Sequence, residues 1–286
     1  MSRPPKPSTS SRPPALAAGP SEPGTPDTRA PDTRALDAGA FDGGPTGLWE
    51  ELARPTPTPV PTWEGPPPGL PEPVRRYLEL ALDPGAPLLH AVELRMTGRI
   101  RLRAERPPVP LEAIQILRPP EGFVWSARTT GGWLRIRGWD AWGRGLGGMR
   151  WRLFGRVPVV NTTGSDVTRS VAGRLAMEAA LVPSILLPSR GLVRWEPDSE
   201  RRARFSLVVG PEAVHTTLEV DSDGWPTRLS ALRWREGGYQ RFDVLTSGRL
   251  ETGHGRLPAR IVAGWRLGEP DEERFFEVEL TRARFL

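Results

Sequence analysis

Between residues 92 and 103 the chain reads VELRMTGRIRLR, where Val92, Leu94, Met96, Ile100 and Leu102 alternate with Glu93, Arg95, Thr97, Arg99, Arg101 and Arg103. A period of two predicts a long antiparallel strand with one face on a core and the other in water. Runs of the same kind follow: LEAIQIL, GFVWSAR, GWLRIRGW after the turn signal TTGG, then GLVRWE, ARFSLVV, VHTTLEV, TRLSALRW, YQRFDVL, LPARIVAGWRL and RFFEVELTRARFL. Asp221 to Trp225, DSDGW, supplies a tight hairpin, because Asp and Gly tolerate the positive φ such turns require. About ten or eleven strands with short connections form an antiparallel meander rather than βαβ units. A sheet that large must curl, and the curl encloses an apolar concavity.

Two segments break the period of two. LPEPVRRYLELALDPG carries Val74, Tyr77, Leu78 and Leu82 at spacings of three and four between prolines near its start and Pro84-Gly85 at its end, which predicts an amphipathic helix. SDVTRSVAGRLAMEAALV, residues 165–182, predicts a second helix inserted between the strand groups, with Ser165 as cap, Asp166 in the first turn and Pro183 as terminator. At 100° per residue Val167, Val171, Leu175, Val182 and Ile185 fall in one stripe about 80° wide, and Glu178 projects into its middle. Arg174 stands one turn earlier, at the edge of the stripe. The opposite face, Ala172, Gly173, Ala176 and Ala180, is small rather than charged, so the helix is expected to be covered on both sides, as a plug lying against the concave face. The expected fold is therefore α+β and mainly β: a half-barrel with an N-terminal helix and an inserted helix.

Glu178 is the residue in this pattern that asks for an explanation. A lone buried carboxylate costs several kcal/mol or stays protonated. Arg174 at i and Glu178 at i+4 can pair, so one reading is a satisfied internal ion pair. The other is a polar anchor facing a cavity, with Trp125 and Trp195 as apolar walls. A base role for Glu178 lacks a second carboxylate or histidine nearby in sequence. His90, His215 and His254 are far apart and none has metal-ligand spacing, so neither metal nor cofactor is implied.

Residues 133–156 interleave tryptophan with arginine, and in a strand Trp133, Arg135, Arg137 and Trp139 share a face. A solvent face with arginine stacked on tryptophan accounts for this at about 0.5–1 kcal/mol per pair. An anionic surface, lipid headgroups or single-stranded nucleic acid, is the functional alternative. The glycines of GRGLGG match no phosphate-cradling pattern and read as a flexible loop.

Composition sets the limits of the folded part. Residues 1–68 are dense in Pro, Gly, Ser, Thr and Ala and read as a disordered, Pro-rich arm and linker, which leaves residues 69–286 as a single half-barrel domain. The chain has no cysteine, which excludes disulfides and thiolate chemistry. A pI near 10.6 suggests nucleic acid until the charges are counted: 39 basic against 34 acidic residues, a net of +5, with nearly every cation an arginine. That small excess speaks against nucleic acid as a partner. With no leader pattern and no apolar run of transmembrane length, a cytoplasmic location is expected.

LPEPVRRYL, GFVWSAR, GRLAMEAALVPSILLP, VRW and GRLPARIVAGWRL resemble, in order and spacing, an uncharacterised bacterial family of unknown function over about residues 70–286. Arg174, Glu178, Pro183, Leu187 and Pro188 carry the most specific block. More distantly, the helix, meander and inserted helix resemble the lipoprotein-carrier half-barrels, whose apolar concavity accepts acyl chains. That resemblance implies non-enzymatic binding of an apolar or lipid-like ligand between the sheet and the helix at 165–182. The alternatives are an enzyme with Glu178 as general base, and an interaction module binding a partner or an anionic surface through the Arg/Trp-rich segment.

Overall fold

A computed structural model describes residues 46–131 and 135–286. Two helices lead: α1 (Thr46–Leu52) and α2 (Glu72–Ala81). Six strands follow, β1 (Val92–Ile100), β2 (Val109–Arg118), β3 (Gly122–Thr129), β4 (Ile136–Gly143), β5 (Leu146–Leu153) and β6 (Val157–Thr163), then α3 (Ser165–Glu178). The second strand group is β7 (Val193–Ser199), β8 (Arg202–Val209), β9 (Glu212–Val220), β10 (Pro226–Arg235), β11 (Gly238–Ser247), the short pair β12 (Leu250–Thr252) and β13 (Gly255–Leu257), β14 (Arg260–Trp265) and β15 (Glu273–Phe285).

Thirteen strands form one curled antiparallel sheet in the order β6-β5-β4-β3-β2-β1-β15-β14-β11-β10-β9-β8-β7, a half-barrel, with β12 and β13 paired separately. The first strand group runs outward from β1 to the edge at β6, and the second starts at the opposite edge, β7. The chain between the two edges has to cross the concave side, and α3 is that crossing. It packs against β4, β5 and β6 on one arm and β8, β9 and β10 on the other. Both of its faces are covered accordingly: Val171, Ala172, Gly173, Leu175, Ala176 and Met177 are all buried.

The expected half-barrel is present with more strands than the sequence suggests. The excess lies in residues 144–163. GRGLGG is a hairpin, not a loop: Arg144 and Gly145 turn at φ 54° and 80°, and Leu146, Gly147 and Gly148 already belong to β5. Gly147 is small because α3 lies on it. A Cβ there would stand 2.3 Å from Val171 Cγ2 and 2.7 Å from Thr168 Cα.

Three local expectations also change. α3 is flanked by Gly164 with no side-chain cap, so Ser165 is its first residue and not its cap. Its α-helical part ends at Glu178, and residues 179–181 tighten to 3-10 geometry ahead of Pro183. The arm boundary at 68 also moves. Leu48 and Leu52 of α1 are buried on the convex face against Ile116, Val124, Trp139 and Ala141, and Trp63 joins the main core. Residues 1–45 lie outside the described residues.

The stripe expected on α2 is intact, with Val74, Tyr77, Leu78 and Leu82 buried. Tyr77 Oη donates to Ala180 O at 2.7 Å and ties α2 to the segment that follows α3.

Candidate functional site

The sheet's register builds the site. One cross-strand row places Gln115 of β2, Trp125 of β3, Asp140 of β4 and Met149 of β5 side by side. Directly paired residues stand about 5 Å apart and share a face, so one amide, one indole and one carboxylate sit together on the concave wall. α3 lowers its last turn onto that row.

Arg174 is the hub. Its Nε donates to Glu178 Oε1 at 2.7 Å, Nη1 to Asp140 Oδ2 at 3.2 Å and Nη2 to Gln115 Oε1 at 3.4 Å. Gln115 Nε2 closes the ring by donating to Glu178 Oε2 at 2.6 Å, and Trp151 Nε1 donates to Asp140 Oδ1 at 2.9 Å. The Arg174 guanidinium also lies over the rings of Phe123, at 4.7 Å, and Trp125, at 5.1 Å, where the aromatic faces favour a cation. The Arg174 and Glu178 side chains keep 17% and 20% of their exposure, so the pair is only partly dry. Both Glu178 oxygens are engaged, so a base role would require this ring to open first.

Burial pushes the Asp140 carboxyl above the ordinary aspartate range, against the opposing pull of Arg174 and Trp151. Across the concavity Arg233 of β10 is 7% exposed. Burial, reinforced by the like charge of Arg174, lowers its guanidinium to about 9, which leaves it protonated at neutral pH. Arg233 Nη2 donates to Ser170 O at 3.0 Å and its plane lies 4.1 Å from the Phe242 centroid, while Nε has no hydrogen-bond partner among the described residues.

These groups line a cavity of about 1120 Å³ between α3 and the sheet. The rest of its wall is mainly apolar, with Met96, Trp125, Trp151, Leu229, Phe242 and Ile261 among the lining residues. A predominantly apolar concavity with a few convergent polar groups is the usual form of a small-molecule site, and this one is slightly larger than the usual range of about 300–1,000 Å³. Glu178 is ion-paired, and the pair is part of the cavity wall.

The model of DUF6544, a family of unknown function, matches residues 63–278. The chain belongs to this family. A search among curated proteins finds no significant match. Two solved structures are similar to this DUF6544 chain. One is a LolA superfamily protein from Nitrosomonas europaea, at 12% identity and a TM-score of 0.42, covering 75% of this chain and 92% of that one. The other is a putative outer membrane lipoprotein-sorting protein domain from Vibrio parahaemolyticus, at 8% identity and 0.39, covering 68% and 85%.

Of the candidates read from the DUF6544 sequence, Glu178, Arg174 and Trp125 meet at the cavity. Trp195 does not join them. It packs on Phe205 at 5.0 Å and donates its Nε1 to Leu186 O at 2.9 Å, away from the cavity wall. Trp139 is buried on the convex side under α1 and is not a surface contact. Arg135 and Arg137 are exposed, and Trp133 lies outside the described residues.

Gln115, Asp140, Trp151 and Arg233 were missed. A signal existed for two of them. Gln115 shares its strand parity with Leu111, Ala113 and Leu117, and Asp140 shares its parity with Ile136 and Trp142, so each is a polar residue in an apolar row.

Proposed function

We propose that this DUF6544 protein binds an apolar, lipid-like molecule, with the apolar body between α3 and the sheet and the polar end against the Arg174–Glu178–Asp140 cluster. The observation that carries this reading is the cavity itself: about 1120 Å³, walled largely by apolar side chains, with one set of charged groups around α3 and arginines of the β1–β2 connection at its mouth. Each methylene of a guest taken out of water contributes about 0.8 kcal/mol, so a long chain of about sixteen carbons supplies about 12 kcal/mol, enough for micromolar binding after an association cost of about 4 kcal/mol. The cluster sets orientation, because its hydrogen bonds are satisfied within the protein and it needs no guest to pair its charges.

The test uses a neutral, environment-sensitive probe, N-phenyl-1-naphthylamine, titrated into the full chain and displaced by laurate. Saturable binding with displacement is expected, and Val244→Trp, which fills the cavity wall, should weaken the probe by at least about tenfold. Probe binding that does not saturate, or that Val244→Trp leaves unchanged in a folded protein, overturns the proposal.

A further inference from the structure

The mouth of the cavity carries a second feature, away from the Arg174–Glu178–Asp140 cluster. Because β1 to β6 form a meander, the β1–β2, β3–β4 and β5–β6 connections all lie at one end of the sheet. Leu102 and Val159, which line the cavity, are also 41% and 53% exposed, so the cavity opens to solvent along this end. Phe154 and Val157 stand beside them in the β5–β6 hairpin, 54% and 57% exposed. The other large apolar side chains exposed among the described residues, Val208, Leu232 and Tyr239, are on β8, β10 and β11 of the far arm. A soluble surface seldom gathers apolar side chains in this way without a contact to make.

Local geometry does not explain them. Phe154 sits at φ 50°, where Gly or Asn is favoured and a bulky side chain is disfavoured, so the turn alone would not select phenylalanine. The charges on the same rim are equally one-sided. In the described parts of these three connections, with Arg137 beside them, Arg101, Arg103, Arg106, Arg135 and Arg156 are set against Glu105 alone, whereas the β14–β15 connection at the same end of the sheet carries Glu269, Asp271 and Glu272 with Arg266. Arg137 stands over the hairpin, close enough that a Cβ on Gly155 would meet its guanidinium. The cation excess at this end of the sheet is thus confined to the β1–β6 arm.

We propose that this rim docks the cavity mouth onto an anionic lipid surface, with Leu102, Phe154, Val157 and Val159 entering the interface and the arginines meeting the headgroups. Apolar side chains that dip below the headgroups, flanked by cations that stay level with them, match the layered chemistry of a bilayer surface. A nucleic acid would use the arginines but would leave exposed aliphatic side chains without a partner. The inference goes beyond the proposed ligand and stands on the exposed rim of the cavity, away from the Arg174–Glu178–Asp140 cluster.

The experiment is flotation of the full chain with phosphatidylcholine vesicles, with or without about 30% phosphatidylglycerol, at about 0.05 and about 0.5 M salt. Binding is expected to the anionic vesicles at low salt and to fall steeply at high salt. Arginines near an anionic leaflet contribute about fivefold each, so Arg103→Glu with Arg106→Glu should weaken binding at least about 20-fold. Arg201→Glu with Arg202→Glu, the same charge change at the opposite end of the sheet, should have far less effect. Phe154→Asn with Val157→Ser, which suits the backbone at 154, should reduce binding at both salt concentrations.

Equal flotation with neutral and anionic vesicles, or equal effects of the rim and control reversals, overturns the inference. So does a single-stranded oligonucleotide that binds the chain and displaces it from vesicles. Probe occupancy measured without vesicles reports on the guest separately, so loss of docking with an intact probe signal condemns the rim alone.

Discussion

Arg174→Met removes the hub of the cavity cluster while keeping a side chain of similar length. It strips Glu178 Oε1 of a donor at 2.7 Å and Asp140 Oδ2 of one at 3.2 Å, and leaves Glu178 with Gln115 and Asp140 with Trp151. Breaking a fully buried pair by removing one partner costs about 3–5 kcal/mol. Here the paired side chains keep 17% and 20% of their exposure beside a cavity, so the expected loss is smaller, about 2–4 kcal/mol. For a domain of this size that corresponds to a fall in Tm of about 5–15 °C. Glu178→Leu alone should cost less, about 1–3 kcal/mol, because Arg174 keeps Asp140. The double variant should be more stable than the sum of the singles predicts, by a coupling of about 1–3 kcal/mol. Urea unfolding followed by circular dichroism measures all four corners of the cycle. Strict additivity, or a loss below about 0.5 kcal/mol for Arg174→Met, would place the cluster among solvent-exposed surface pairs and refute its role as a satisfied wall of the cavity.

Two further expectations rest on neighbouring residues. Burial raises the Asp140 pKa, so its ionisation opposes folding: the cost is absent in acid, grows as pH rises from the ordinary value near 3.8 through the raised folded value, and is constant above that. Asp140→Asn stays neutral, so its Tm minus that of the natural protein should increase across that window in thermal scans, and a difference that is flat or falling with pH would contradict the assignment. Gly147→Ala introduces a Cβ 2.3 Å from Val171 Cγ2 and 2.7 Å from backbone at Thr168, so α3 must shift. A loss of about 1–3 kcal/mol is expected in urea denaturation, and an unchanged midpoint would mean that α3 does not rest on β5.

What the sequence could show depended on how strongly each segment was forced into one period. β1 was legible because one of its faces is wet and its alternation is clean. α2 was legible because its stripe is continuous. β5 and β6 were not: in GGMRWRL the alternation of Met149, Trp151 and Leu153 with Arg150 and Arg152 is short and follows glycines, one of which lies under α3, and VPVVNTT is an edge strand exposed along nearly its whole length. α1 has a single i, i+4 pair, Leu48 and Leu52, inside a proline-rich region, too short a stretch for periodicity to register. Trp139 was misplaced for the same reason, because the helix that covers it was not foreseen.

The site followed a different logic. The α3 stripe located Arg174 and Glu178, and strand parity could have marked Gln115 and Asp140 as polar residues in apolar rows, but parity within one strand does not say which residue of the next strand lies beside it. That depends on register across β2, β3 and β4, which sequence periodicity leaves open by steps of two. The missing link is topological. Since β6 and β7 are opposite edges of one sheet, the connection between them must span the concavity, and a 14-residue α3 is long enough to touch both arms. The last turn of such a helix arrives over β2, β3 and β4, where the row Gln115, Trp125, Asp140 is waiting. The carboxylate in the apolar stripe is then no anomaly. At that depth a helix crossing a curled sheet meets polar side chains from strands far away in sequence, and Glu178 with Arg174 satisfies them beside an apolar cavity.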